Sequence, residues 1–116
     1  MKIFNYESVP RDTEAEGAKG VHVRWLISEK IGAPNFAMRL FEVERKGFSP
    51  LHSHPWEHEV YVLDGEGTVT SEEGEQPLRR GDVIFIAPNE RHQITNTGDT
   101  VLKFLCMVPN NRPESE

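Results

Sequence analysis

Turn signals punctuate this chain at short intervals: Ala33-Pro34-Asn35, Lys46-Gly47, Asp64-Gly65, Glu73-Gly74, Gly81-Asp82, Pro88-Asn89 and Thr97-Gly98-Asp99. Between them lie short runs rich in Val, Ile, Phe and Leu, at 21–27, 36–43, 60–63, 83–87 and 101–108. Gly, Pro, Asn and Asp bend a backbone, whereas β-branched and aromatic side chains suit a pleated, half-buried surface. Short strands separated in this way predict an all-β sandwich or barrel. No stretch sustains a helical apolar period long enough for a substantial helix. There is no internal repeat, low-complexity segment or linker, so residues 1–116 read as a single domain.

Strand parity then assigns faces, because successive side chains point to opposite sides of a sheet. In 21–27, Val21, Val23, Trp25 and Ile27 alternate with His22 and Arg24, which predicts that His22 lies outside. In 36–45, Phe41 and Val43 share a face with Arg39 and Arg45, and Leu40 shares the other with Glu42 and Glu44. In 101–108, Lys103 marks the wet face and turns Leu102, Phe104, Cys106 and Val108 inward.

Charge removes several classes of partner. The 13 Lys and Arg against 19 Asp and Glu give a formal net charge of −6. An acidic chain with no basic block offers no footprint for nucleic acid or anionic lipid. No apolar run approaches a membrane span, and the N-terminal residues turn polar too early for a signal peptide. Cys106, the single cysteine, has no intrachain partner, which fits a reducing compartment. These features lead to the expectation of a cytoplasmic protein.

The chemistry is concentrated at 47–65, where three of the five histidines follow the pattern His52-x-His54-x-x-x-His58. On a strand, residues two apart face the same way with roots roughly 7 Å apart. His52 and His54 can therefore converge on one ion, and His58 keeps their parity across the Pro55-Trp56 bend. Glu59 has the opposite parity. Neutral imidazole suits Zn, Cu, Fe and Ni, so a histidine cluster points to a divalent metal. His92 heads a further predicted strand at 92–96, and a neighbouring strand can bring it beside the first three.

These residues resemble the cupins. The segment Gly47…His52-Ser53-His54…His58…Gly65 is similar to the first cupin motif. Gly81-Asp82…Pro88-Asn89-Glu90-Arg91-His92…Asn96 is similar to the second. The first glycine-to-histidine interval is one residue short, six residues precede Pro88, and Glu90 stands where glycine is usual. Counting back from Gly65 puts His58, not Glu59, where cupins usually carry a metal-binding glutamate. The resemblance thus implies a double-stranded β-helix, a jelly roll of two antiparallel sheets, with four histidine ligands: His52, His54, His58 and His92. Manganese is the implied metal, iron the next, with nickel, copper or zinc also compatible with imidazole. Homodimers, which small cupins often form through sheet edges, are implied as well.

An all-imidazole site on a divalent ion keeps a charge near +2, making it a stronger Lewis acid than a site with a carboxylate. Open positions on such an ion would serve oxygen or a small organic substrate. The leading expectation is therefore a metal-dependent oxidoreductase of dioxygenase type. The alternatives are a Lewis-acid isomerase or epimerase, for which no proton shuttle is evident, and a non-catalytic metal-bearing binding protein. Phe104 and Cys106 are candidate pocket walls. Arg39 could bind an anionic substrate in the same cavity, or snorkel at its strand end. Glu57 and Glu59 could hydrogen-bond ligand imidazoles or form surface salt bridges, and the four-residue spacing that the cupin motif also allows would make Glu59 itself a ligand.

Overall fold

The computed structural model describes residues 1–12 and 16–112 of the chain. Eight strands form one curled antiparallel sheet: β1 (Lys19–Ile27), β2 (Phe36–Phe48), β3 (His58–Asp64), β4 (Glu66–Ser71), β5 (Gly74–Arg79), β6 (Val83–Ile86), β7 (His92–Asn96) and β8 (Leu102–Pro109). The order across the sheet is β5-β4-β7-β2-β8-β3-β6, with β1 added along β2. Helical structure among the described residues is confined to two single 3-10 turns, Tyr6–Ser8 and Glu29–Ile31. No helix there is long and apolar enough to cross a membrane.

Strands β4 and β5 lie outside the apolar runs of the sequence. Each carries one large aliphatic side chain, Val69 or Leu78, and Pro77 interrupts β5. Proline is tolerated because β5 is at a sheet edge, where a missing N–H removes no ladder bond. The Lys46-Gly47 signal marks a bulge inside β2, not a turn between strands. Lys19 pairs with Phe48 while Val21 pairs with Val43, so four residues of β2 loop out opposite Gly20. Lys46 adopts φ 67° to make that excursion, and a Cβ at Gly47 would stand 2.6 Å from the Lys19 carbonyl oxygen.

Parity holds along β8, where Leu102, Phe104, Cys106 and Val108 are all buried. It fails at the end of β1. A register shift between Trp25 and Ile27 swings Ile27 to the surface, 36% exposed, instead of into the core. His22 points outward, as its parity requires, and pairs with Glu44.

The interior is solid at one end and hollow at the other. Val43, Val62 and Leu102 are almost completely buried and close one end. Two residues further along the same strands, Phe41, Val60 and Phe104 line a cavity of about 530 Å³. The fold therefore sets a dry floor beneath an open chamber.

Candidate metal centre

The loop between β2 and β3 carries His52 and His54, and β7 holds it in place. Ser49 N–H donates to the Ile94 carbonyl (2.9 Å), Ile94 N–H to Ser49 Oγ (2.9 Å) and Gln93 Nε2 to the Ser49 carbonyl (2.9 Å). His52 and His92 then exchange backbone hydrogen bonds of 3.2 and 2.9 Å. Asn89, at φ 69°, donates its N–H to the His54 carbonyl at 2.6 Å. His58 is the first residue of β3, directly opposite Ile86 of β6.

All four rings meet at the cavity wall. Ring centroids are 4.2 Å apart for His52 and His54, 4.9 Å for His52 and His92, 4.9 Å for His58 and His92, and 5.3 Å for His54 and His58. Among the described residues no group of three or more His, Cys, Asp or Glu side chains is placed so that it could hold a metal ion.

Their protonation suits a cation. Burial pushes His52 down to about 4 and His58 down to about 3, and it lowers His54 and His92 in the same direction. Neighbouring histidines and the Arg39 charge add to the shift, while the Glu90 carbonyl partly opposes it at His92. At neutral pH the four rings are uncharged and keep a lone pair each. His92 Nδ1 lies 2.9 Å from that carbonyl, so the proton sits on Nδ1 and Nε2 is left as the free base. His54 Nδ1 and His58 Nδ1 are buried without a hydrogen-bond partner, an expensive condition for a purely structural cluster. Neutral imidazoles, gathered and incompletely satisfied, fit a divalent cation of the type that accepts nitrogen ligands.

Glu57 and Glu59 are both exposed. Glu59 lies opposite Phe85 and Met107 on the outward face. Neither carboxylate satisfies the open Nδ1 atoms of His54 and His58. Trp56 stacks on His54, with centroids 4.5 Å apart and planes 7° from parallel.

Above the histidines the chamber is mostly apolar. Phe41 and Phe104 stack 5.0 Å apart with planes within 6°, and Val60, Ile86 and Ile94 complete the wall. Arg39 and Cys106 also face this cavity, with Arg39 Nη2 donating to Cys106 Sγ at 3.0 Å. The exposed Asp12 and Glu16 contribute to the lining, and neither could be assigned to it from the sequence pattern.

Comparisons with known proteins agree with this architecture. A cupin-domain family model matches residues 39–108. The chain is 42% identical to an oxalate-binding protein of Thermotoga maritima, over 93% of each chain. It is 32% identical to an L-ectoine synthase of Mycolicibacterium vanbaalenii, over 84% of this chain and 72% of that one. Its fold matches that of the polyketide cyclase RemF from Streptomyces resistomycificus with a TM-score of 0.91 and 32% identity, covering 98% of this chain and 82% of that one. With both histidine motifs inside the matched region and a relative similar along nearly its whole length, the chain belongs to the cupin family.

Proposed function

We propose that this cupin is a metal-dependent oxidoreductase of dioxygenase type, acting on a small organic substrate in the chamber above His52, His54, His58 and His92. The observation that carries the reading is four neutral imidazoles at the wall of an apolar cavity with no carboxylate among the rings. Manganese is the preferred ion and iron the next. When bound, such an ion supplies Lewis acidity and one-electron chemistry toward oxygen.

The chain's own residues do the rest. The backbone bridge between His52 and His92 fixes two rings from different motifs against each other. The Glu90 carbonyl holds the His92 proton on Nδ1, leaving Nε2 as a donor. Phe41, Phe104 and Val60 exclude water and hold an apolar body over the rings. An isomerase would need a group to carry a proton between carbons, and among the described residues the carboxylates on the lining, Asp12 and Glu16, are solvent-exposed.

The 42% identity to an oxalate-binding protein favours one second reading, a metal-bearing binding protein without turnover. The polyketide cyclase and ectoine synthase likenesses would suit Lewis-acid chemistry without net oxidation. Elemental analysis of untagged protein, purified without chelator, tests the metal. About one manganese or iron per chain is expected, and no uptake of any added divalent ion overturns the proposal. Substrate-dependent oxygen consumption then separates the oxidoreductase from both other readings.

We also propose that the working form is a homodimer in a reducing cytoplasm, which suits the lone Cys106 thiol.

A further inference from the structure

Arg39 is a cation in a place that ordinarily excludes one. Its guanidinium carbon lies 5.2 Å from the Trp25 ring centroid and 4.9 Å from that of Phe41, so two aromatic faces hold it over the cavity. Those contacts and a thiol are its observed partners. Cys106 Sγ is a weak acceptor, and burial pushes the thiol's pKa up despite the nearby charge, so the sulfur stays neutral. Arg39 Nε is buried with no acceptor at all. Every ion pair among the described residues lies elsewhere, at Arg11–Glu42, His22–Glu44 and Arg24–Glu42. Arg39 as a whole is half-buried, but its Nε is shut off from water without an acceptor, and a cation held in that way is stabilised when an anion supplies one.

We propose that Arg39 is the anion receptor of the chamber, and that the site takes a small monocarboxylic acid with a flat apolar body. The inference rests on the reading of the chamber as the substrate site and deepens it. A planar guanidinium matches a carboxylate in geometry as well as charge, which a lysine would not. One such group faces the cavity, which sets one carboxylate. The stacked Phe41 and Phe104 rings and the Val60 and Ile86 side chains leave apolar walls for the remainder, which sets the flat body. The acid therefore enters with its carboxylate on Arg39 and its body lying across the aromatic wall. Arg112 is the other nearby cation. It lies over Trp25 and Trp56 but outside the lining, and donates to the Pro109 carbonyl.

The test compares 2-naphthoate with its neutral isostere 2-naphthamide, by isothermal titration into the full chain. Both as-purified and chelator-treated protein are titrated. The acid is expected to bind at least tenfold more tightly than the amide in both samples. Arg39→Met should reduce that preference to within twofold, Arg39→Lys should recover part of it, and Arg112→Met should keep it. Equal affinities for acid and amide in the wild-type chain overturn the proposal, as does no binding of either. So does a preference that survives Arg39→Met, or one that appears only when metal is present, since the ion would then be the receptor. Because the wild-type comparison needs no variant, misfolding of Arg39→Met leaves the test decisive. Failure of the chain to take up metal overturns the metal reading alone, and the chelator-treated titration still decides the role of Arg39.

Discussion

Burial holds His52 near 4 and His58 near 3, against 6.5 for an unperturbed imidazole, and moves His54 and His92 the same way. The folded chain therefore binds fewer protons than the unfolded chain between these values. The stability from keeping the rings neutral is fully present above pH 6.5 and is lost as pH falls from there toward 3–4. Each ring contributes at most about 1.4 kcal/mol per pH unit, and less for the more exposed His52 and His54, where solvent screens the charge. Chelator-treated protein should thus melt at a progressively lower temperature from pH 7 to pH 5, a window above ordinary carboxylate titration. His58→Gln should flatten that slope, and a melting temperature independent of pH over this range would contradict the argument. The gathering of these rings was anticipated from their spacing and motif, but not for the reason of strand parity: His52 and His54 lie on the loop between β2 and β3, and only His58 belongs to a strand. The proton on His92 Nδ1 was not, since its acceptor is a backbone carbonyl and any residue at position 90 supplies one. Arg39 was legible only as two alternatives, because parity names a face but not what lies above it.

The second histidine motif ends in Asn96, whose buried side chain joins two elements. Its Nδ2 donates to the Val43 carbonyl of β2 and the Thr100 carbonyl beyond β7, each at 2.9 Å, and its Oδ1 accepts from Gly98 N–H at 2.9 Å. Asn96 thereby shapes the β7–β8 turn and anchors it to the closed end of the barrel. Asn96→Ala would strand two carbonyls and an N–H, at a cost of about 2–4 kcal/mol. Asn96→Asp should be at least as damaging, because Nδ2 and its two N–H donors are replaced by one carboxylate oxygen facing two carbonyls. Thermal or denaturant unfolding of the two variants checks the order. Gly65 belongs to the same end: at φ 90° its Cβ would stand 2.6 Å from the Val101 carbonyl oxygen. Strands β1, β2, β3, β6 and β8 were readable because apolar runs and turn residues alternate along them, and β7 because His92 heads a short segment between the Pro88-Asn89 and Thr97-Gly98 turns. Strands β4 and β5 were not, since a two-stranded edge with mostly polar side chains leaves little apolar pattern. The Lys46-Gly47 bulge was misread as a turn because left-handed backbone serves both purposes.

Across the whole molecule the inward and outward faces of the sheet are unequal in what covers them. The outward face of β1 and β2 has a lid, with Arg24 donating to the Val9 carbonyl and the Tyr6 ring within 5.8 Å of Lys103 Nζ. Among the described residues the outward face of β3 and β6 has none. Val60, Val62 and Ile86 point in, which turns Tyr61 and Leu63 of β3 and Val83 and Phe85 of β6 out. Tyr61 and Val83 are paired across the ladder, and Val83 and Phe85 are 76% and 63% exposed. Apolar side chains clustered on one face of an otherwise acidic chain are where the proposed homodimer would pair. The outward Leu105 and Met107 of β8 adjoin Tyr61 and Glu59 in register and extend the strip. A second copy is the occupant that suits a strip on an open sheet face, because two-fold pairing lets the same patch serve both partners. Sedimentation equilibrium at micromolar concentration should return twice the 13.2 kDa chain mass. Val83→Glu with Phe85→Glu should convert the protein to monomer without lowering metal content, because both side chains point away from the chamber. A wild-type monomer, or a double variant that still pairs, would rule this face out as the dimer interface.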